Sequence, residues 1–232
     1  MLSRVVKILK TGNLAAHFYQ MLQLQHFTFN PFQENTWLIW NEHKKCLVID
    51  PGCYTNSEKE TLLNFIETNG LVPIRLLNTH CHIDHVLGNP FIQHQFGLVP
   101  EIHPLEIPTL NAVEQYGKLW GINSESQPAP QATLNDGDRI YLDEEYLNVI
   151  FTPGHSPGEV SFYSEKQHFI IAGDVLFRES IGRTDLPGGN HSKLIDTIRE
   201  RLFTLPDNTS VHSGHGESTT IGHEKKYNPF LS

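Results

Sequence analysis

Residues 74–78 form a short apolar run that leads without a break into Thr79-His80-Cys81-His82-Ile83-Asp84-His85, and this junction constrains the fold more than any other stretch. A run of that kind, arriving at a polar loop, reads as a buried β-strand. His80 and His82 are two apart on extended backbone, so both rings project to the same side and can grip one ion. Asp84 and His85 follow where the chain turns into the next helix, and the changed direction can aim them at a second ion beside the first. Such a protein carries its chemistry at a strand end and must bring further ligands to that end from elsewhere.

The candidates for those ligands share one context. His155 lies in Thr-Pro-Gly-His-Ser-Pro-Gly, Asp174 in Ala-Gly-Asp and His215 in Ser-Gly-His-Gly, each after an expected strand. Strand ends hold residues rigidly, and adjacent glycines let backbone approach a cluster closely. Imidazole and carboxylate suit zinc, and equally iron or manganese. Two ions about 3.5 to 4 Å apart can hold a hydroxide between them, because coordination brings the pKa of bound water to near 7. The chain has 14 histidines, and most of them stand alone: His17, His26, His43, His94, His103, His168, His191, His212 and His223 are read as structural. Cys81, between His80 and His82, points the opposite way and is read as a core residue.

Around these motifs, residues 25–29, 35–40 and 45–50 have the aromatic and branched composition of strands. Ser57 with Glu60 reads as a capping box, and Leu62, Leu63 and Ile66 give an apolar stripe that stops at Gly70. Asn89 is expected to cap a further helix, with Pro90 in its first turn and Gly97 at its end. Residues 104–120 are expected to be helical. Asn135-Asp136-Gly137-Asp138 is turn chemistry; after it 139–142 and 147–151 read as strands, and 160–163 with 168–172 as a hairpin. Ser192 is expected to cap a helix carrying Ile195, Ile198 and Leu202, before a last strand at 209–212. With no fixed-period repeat and no low-complexity linker, this order predicts an α/β chain of two packed sheets with helices outside.

Composition limits the rest. A chain of 232 residues with 38% hydrophobic content is long enough for one domain with a large core. No apolar run approaches the ~18 residues of a membrane span. The net charge of −9, without a basic block, argues against a nucleic-acid partner. Cys46, Cys53 and Cys81 are odd in number and form no C-x-x-C pair, which points to a reducing compartment, the cytoplasm. Arg4, Lys7 and Lys10 make residues 1–20 basic, and the two lysines interrupt any secretory signal. Because the patterned sequence starts just after Met21, residues 1–20 are read as an extension outside the native chain, in preference to an organelle-targeting or membrane-surface segment, and 21–232 as the folded domain.

The set His80-x-His82-x-Asp84-His85, then His155, Asp174 and His215, resembles in order and spacing the signature of the metallo-β-lactamase superfamily. The resemblance implies an αββα sandwich of two mixed β-sheets flanked by helices, with 21–232 as the catalytic domain. It also implies His80, His82 and His155 on one metal, Asp84, His85 and His215 on a second, and Asp174 bridging. The cofactor would be two divalent ions, zinc first, with iron or manganese as alternatives. A metal-bridging hydroxide would be the nucleophile, and Asp84 the catalytic residue that orients it. The stretch from Gly173 to Gly189, with Gly182-Arg183-Thr184-Asp185, is similar to the glyoxalase II group, whose hydroxyacylglutathione hydrolases cleave the thioester of S-lactoylglutathione. Longer members add a C-terminal helical part that holds glutathione, whereas 17 residues follow His215 here. Arg178 and Arg183 are candidates for a substrate carboxylate, and Arg183 can alternatively pair with Asp185. The same stretch resembles persulfide dioxygenases, which use one iron held by two histidines and an aspartate, here His80, His155 and Asp174. The expected function is therefore hydrolysis of a small thioester, with the iron dioxygenase and a non-catalytic metal-binding module as alternatives. A small-molecule substrate is expected in the first two cases, with no nucleic-acid or membrane partner.

Overall fold

The computed structural model describes residues 21–130 and 134–231. The expectation for residues 1–20 lies outside the described residues. The first sheet runs in the order β1 (Gln23–Phe29), β2 (Glu34–Trp40), β3 (Lys45–Ile49), β4 (Val72–Leu77) and β5 (Pro100–Glu101). Its first three strands are antiparallel, and β3, β4 and β5 run parallel. Every residue of β2 is buried, because both faces of the sheet are covered. Trp37 and Ile39 face the second sheet, while Leu38 and Trp40, one residue out of phase, face the helices.

Between β3 and β4 runs α1 (Asn56–Thr68), which buries Leu62 and Ile66. Its capping box is Thr55 with Glu58, not Ser57 with Glu60. Gly70 adopts φ 63° just beyond the helix, a left-handed position that suits glycine. The chain then forms α2 (Ile83–Val86) and α3 (Asn89–Phe96). Gly88, not Asn89, holds the cap position of α3. Asn89 is buried, and its side chain donates to Asn78 Oδ1 at 3.0 Å. The expected helix at 104–120 is broken into a 3-10 turn (Pro104–Glu106), α4 (Ile107–Asn111) and α5 (Val113–Trp120). Pro104 and Pro108 explain the break, since each lacks a donor and fits only a first turn.

The second half of the chain supplies β6 (Arg139–Leu142), β7 (Glu145–Phe151), β8 (Val160–Ser164), β9 (Phe169–Gly173), a small hairpin of β10 (Leu176–Phe177) and β11 (Ser180–Ile181), then β12 (Ser210–Ser213) and β13 (Thr219–Thr220). The second sheet has the order β13-β12-β9-β8-β7-β6, antiparallel except where β12 runs parallel to β9. Asn190 rather than Ser192 caps α6 (His191–Thr197), accepting from Lys193 N at 3.0 Å. A π turn (Ile198–Leu202) continues α6, and α7 (Ile221–Tyr227) follows the expected last strand.

Three apolar layers hold these parts together. Trp37, Ile39, Leu47, Ile49 and Leu77 of the first sheet meet Ile140, Leu147, Val149, Phe162 and Ile171 of the second. Leu62, Ile66 and Ile92 cover the outer face of the first sheet, and Leu194, Ile198, Leu202 and Ile221 that of the second. The architecture is thus the expected αββα sandwich of two mixed sheets. Its consequence for function is that β4, β7, β9 and β12 all end along one edge.

Candidate metal centre

Each strand end delivers a polar residue to that edge. His80 and His82 follow β4, Asp84 and His85 lie in α2, His155 follows β7, Asp174 follows β9 and His215 follows β12. Their ligand atoms fall into three groups, each within 4.8 Å: His80 with His82 and His155, Asp84 with His85 and His215, and His80 with His85 and Asp174. Asp174 lies between the first two groups. Its Oδ2 is 3.6 Å from His155 Nε2 and 3.5 Å from His215 Nε2, and its Oδ1 is 3.5 Å from His85 Nε2. The structure therefore brings all seven sequence-predicted ligands together.

The rings are held so that one nitrogen of each faces inward. His85 Nδ1 donates to Asp50 Oδ2 at 3.2 Å, His155 Nδ1 to the Arg183 carbonyl at 2.7 Å and His215 Nδ1 to the Gln33 carbonyl at 3.1 Å. Because those oxygens only accept, each outer Nδ1 carries a proton, and the inward Nε2 is the atom left to face a cation. The inward nitrogens crowd one another: His80 Nε2 is 3.3 Å from His155 Nε2, and His82 Nδ1 is 2.8 Å from the same atom. His85 Nε2 and Asp174 Oδ1 are buried without a hydrogen bond. Converging ring nitrogens and carboxylates, with buried polar atoms left unpartnered, are costly alone and are satisfied together by a cation, so the residues fit a paired-metal site.

The electrostatics point the same way. Burial, reinforced by the His85 and His82 rings, holds His80 well below the usual imidazole range. Burial and His155 bring His82 down to about 3. These rings stay neutral and able to ligate. In the other group the balance is reversed: burial pushes His85 down, yet Asp84 and Asp174 outweigh it and hold that ring well above the ordinary value, so a metal ion there would take the place of its Nε2 proton. Burial would raise Asp174, but the nearby His85 dominates and keeps the carboxyl ionised.

A ring of buried acids, absent from the sequence reading, supports the ligands. Asp50 accepts from Thr79 N at 2.7 Å and Thr79 Oγ1 at 2.6 Å, besides His85. Glu159 accepts from Asp174 N at 2.7 Å. Glu106 joins two ligand loops, accepting from Cys81 N at 2.8 Å, Ser156 Oγ at 2.5 Å and Gly158 N at 2.7 Å. Glu34 is fully buried, and burial raises its pKa well above the carboxylate norm. The available signal was an acid at the edge of an apolar run, as at Leu47-Val48-Ile49-Asp50, since acids are rarely buried unless partnered. Cys81 packs in the core with Ile83, Val86 and Ile102, and takes no place among the ligands.

The centre opens into a groove of about 690 Å³ lined by Phe32, Asp84, Trp120, Phe177, Arg183 and His215 among others. The Arg183 guanidinium is engaged by Asp185 at 2.7 and 2.8 Å. Arg178 sits exposed in the β10–β11 turn and is not among the described residues lining the groove.

The profile of the metallo-beta-lactamase superfamily matches residues 29–215, which span every one of these ligands. The chain belongs to the metallo-beta-lactamase superfamily. Within it, the chain is 35% identical over 203 residues to the hydroxyacylglutathione hydrolase GloC of Haemophilus influenzae, covering 87% of this chain and 94% of that one. Two solved structures are similar throughout. BLEG-1, a B3 metallo-beta-lactamase, has a TM-score of 0.83 at 34% identity, covering 90% of this chain and 100% of its own. TTHA1623, solved in a di-iron-bound form, has a TM-score of 0.81 at 37% identity, covering 89% and 100%. As a superfamily member the chain is a metallo-hydrolase in type, with a His/Asp cluster suited to two metals. No helix among the described residues is long and apolar enough to cross a membrane.

Proposed function

We propose that this chain, with residues 21–232 as its catalytic unit in the cytoplasm, hydrolyses a small thioester at a two-metal centre. The observation that carries the reading is the placement of Asp174 between a three-histidine group and an Asp-His-His group, with a groove opening directly on both. The similarity to GloC and the Gly182-Arg183-Thr184-Asp185 stretch favour a thioester.

Divalent ions in the two groups would supply a water ionised near neutral pH and positive charge for the substrate carbonyl. The protein's own residues do the rest. Asp84 Oδ2, 3.1 Å from His215 Nε2, is partly exposed to the groove, where it can orient the nucleophile and hold its proton. Phe32, Trp120 and Phe177 line the groove, limiting water beside the reacting carbonyl. Addition to that carbonyl and cleavage of the C–S bond release a carboxylate and a thiolate, which takes up a proton. Arg183 borders the same groove; a substrate carboxylate would compete with Asp185 for it, and Arg178 would have to reach in from its turn.

Zinc is the first metal to test, with iron and manganese beside it because TTHA1623 was solved with two irons. The experiment is metal content per chain, measured with hydrolysis of S-lactoylglutathione by protein purified without added metal. Two ions per chain, with turnover abolished in His82→Ala and Asp174→Ala, are expected. One iron with oxygen uptake on glutathione persulfide, and no hydrolysis, would replace this reading with the dioxygenase. Stoichiometric metal without any turnover would leave a binding module. A β-lactam belongs in the assay, since BLEG-1 bears that activity in its name.

A further inference from the structure

Beside the groove lies a second space against the same wall. It is an open-mouthed cavity of about 430 Å³ lined by Leu105, Pro108, Ala112, Tyr116, Trp120 and Leu186, with the ligand candidate His82 also in its lining. Among the described residues, none that line it is an Asp, Glu, Lys or Arg. The cavity and the groove share His82, Trp120 and Leu186, so a molecule reacting in the groove extends into the cavity without leaving the site.

The wall is built in advance. Trp120 packs against Phe32, ring centroids 5.6 Å apart, and against Tyr116 at 5.9 Å. Glu106, in the 3-10 turn that also carries Leu105, is anchored to the ligand loops through Cys81, Ser156 and Gly158. These contacts fix part of the wall before anything binds, which lowers the cost of ordering it on occupancy. Leu105 and Trp120 remain 52% and 42% exposed at its border, apolar surface that a bound apolar group would cover.

Polarity divides the two spaces between the two halves of a thioester. The groove is the larger and carries Asp84, Ser180, Arg183 and His215, so a thiol half with charged groups, such as glutathione, belongs there. Ionised groups in the cavity would lose their hydration with no partner. Its volume lies in the range of small-ligand sites lined by apolar and aromatic side chains.

We propose that the cavity is the acyl subsite, and that the preferred substrates are thioesters of aromatic or medium-length alkyl acids rather than of a small hydroxy acid. The inference rests on the thioesterase reading and adds the acyl class to it. The test is kcat/KM of the metal-loaded protein for S-acetyl-, S-butyryl-, S-hexanoyl-, S-phenylacetyl- and S-lactoylglutathione. Each added methylene is expected to raise kcat/KM by about three- to fourfold until the cavity is full. Ala112→Phe, which fills the cavity, and Leu105→Asp, which charges its border at an exposed position, are each expected to cut the hexanoyl-to-acetyl ratio by about tenfold or more. Equal kcat/KM across the series, or a ratio unchanged in both variants, overturns the subsite and leaves the thioesterase standing. If no thioester is turned over, the thioesterase reading fails, and calorimetric binding of S-hexylglutathione against S-methylglutathione judges the cavity alone. Tighter binding of the hexyl compound, lost in Ala112→Phe, upholds an apolar subsite; equal binding overturns it.

Discussion

Trp37 lies between two tilted imidazoles, His26 at 4.8 Å and His212 at 4.7 Å between ring centroids, and His212 sets a local limit on acid tolerance. Burial, with His26 adding to it, brings His212 from 6.5 down to about 4. Between those values the unfolded chain binds a proton at this position that the folded chain refuses. The stabilisation is therefore complete above about pH 6.5 and is lost as the pH falls toward 4. Urea unfolding should show the stability difference between wild type and His212→Gln narrowing from pH 7 to pH 4.5; a constant difference would remove His212 from the account. Glu106 sits at the same scale but acts on the site. One oxygen serves the Cys81 amide and the other serves Ser156 and Gly158, so an amide in its place must turn a donor toward donors. Glu106→Gln should weaken zinc binding by about 10- to 100-fold in chelator competition while the fold persists. Ligands such as His155 and His215 could be read from sequence because glycine-flanked histidines after strands have few other uses. Glu106 could not, because its partners lie 25 and 50 or more positions away and only the tertiary fold reveals its burial.

Between Thr55 and Glu60 the chain offers two overlapping capping patterns, and the choice between them links α1 to the centre. From the sequence the cap reads as Ser57 with Glu60; the fold selects Thr55 with Glu58, because Glu58 serves more than its own helix. Its carboxylate accepts from Thr55 N at 2.7 Å, Tyr54 N at 2.9 Å and, from a distant loop, Asn30 N at 2.7 Å. Burial is the largest single influence and would raise its pKa, but the hydrogen bonds from those amides together outweigh it and lower it. Asn30 then donates through its side-chain amide to the Asp84 carbonyl at 3.0 Å. Glu58→Ala should destabilise the protein by roughly 1–3 kcal/mol in urea unfolding, and Glu60→Ala, exposed on the helix, by less than about 0.5. Equal effects would return the cap to Ser57. The same reasoning marks which elements could be read in advance. Strands β2, β3, β8 and β9 announce themselves by composition, whereas β10, β11 and β13 have two residues each, too few to show a period. Asn190 won the cap of α6 over Ser192 by a shift of two residues that periodicity does not resolve.

Across the whole molecule, the two sheets contribute unequal shares to one centre. The first sheet, through β4 and α2, brings His80, His82, Asp84 and His85; the second, through β7, β9 and β12, brings His155, Asp174 and His215. Each of the two principal ligand groups draws from both sheets, so an ion in either group ties one sheet to the other at the open edge of the sandwich. Backbone contacts already stitch that edge, with Asn35 N donating to the Gly214 carbonyl at 2.7 Å and Gly214 N to the Gly173 carbonyl at 2.8 Å. The core does not depend on the ions, since Trp37, Ile39 and Phe162 pack well inside the sandwich. Stripping the metals should therefore lower the melting temperature without abolishing the folded state. An ion supplied at about 100 times its dissociation constant adds roughly 2.7 kcal/mol, equivalent to about 5–10 °C for a chain of this size. Scanning calorimetry of chelator-treated protein, followed by zinc, manganese or ferrous iron added back singly, would measure that difference and rank the metals. An unchanged melting temperature in every case would mean that none of these ions binds the folded chain in preference to the unfolded one. The paired-metal reading of His80, His82, Asp84, His85, His155, Asp174 and His215 would then lose its physical basis.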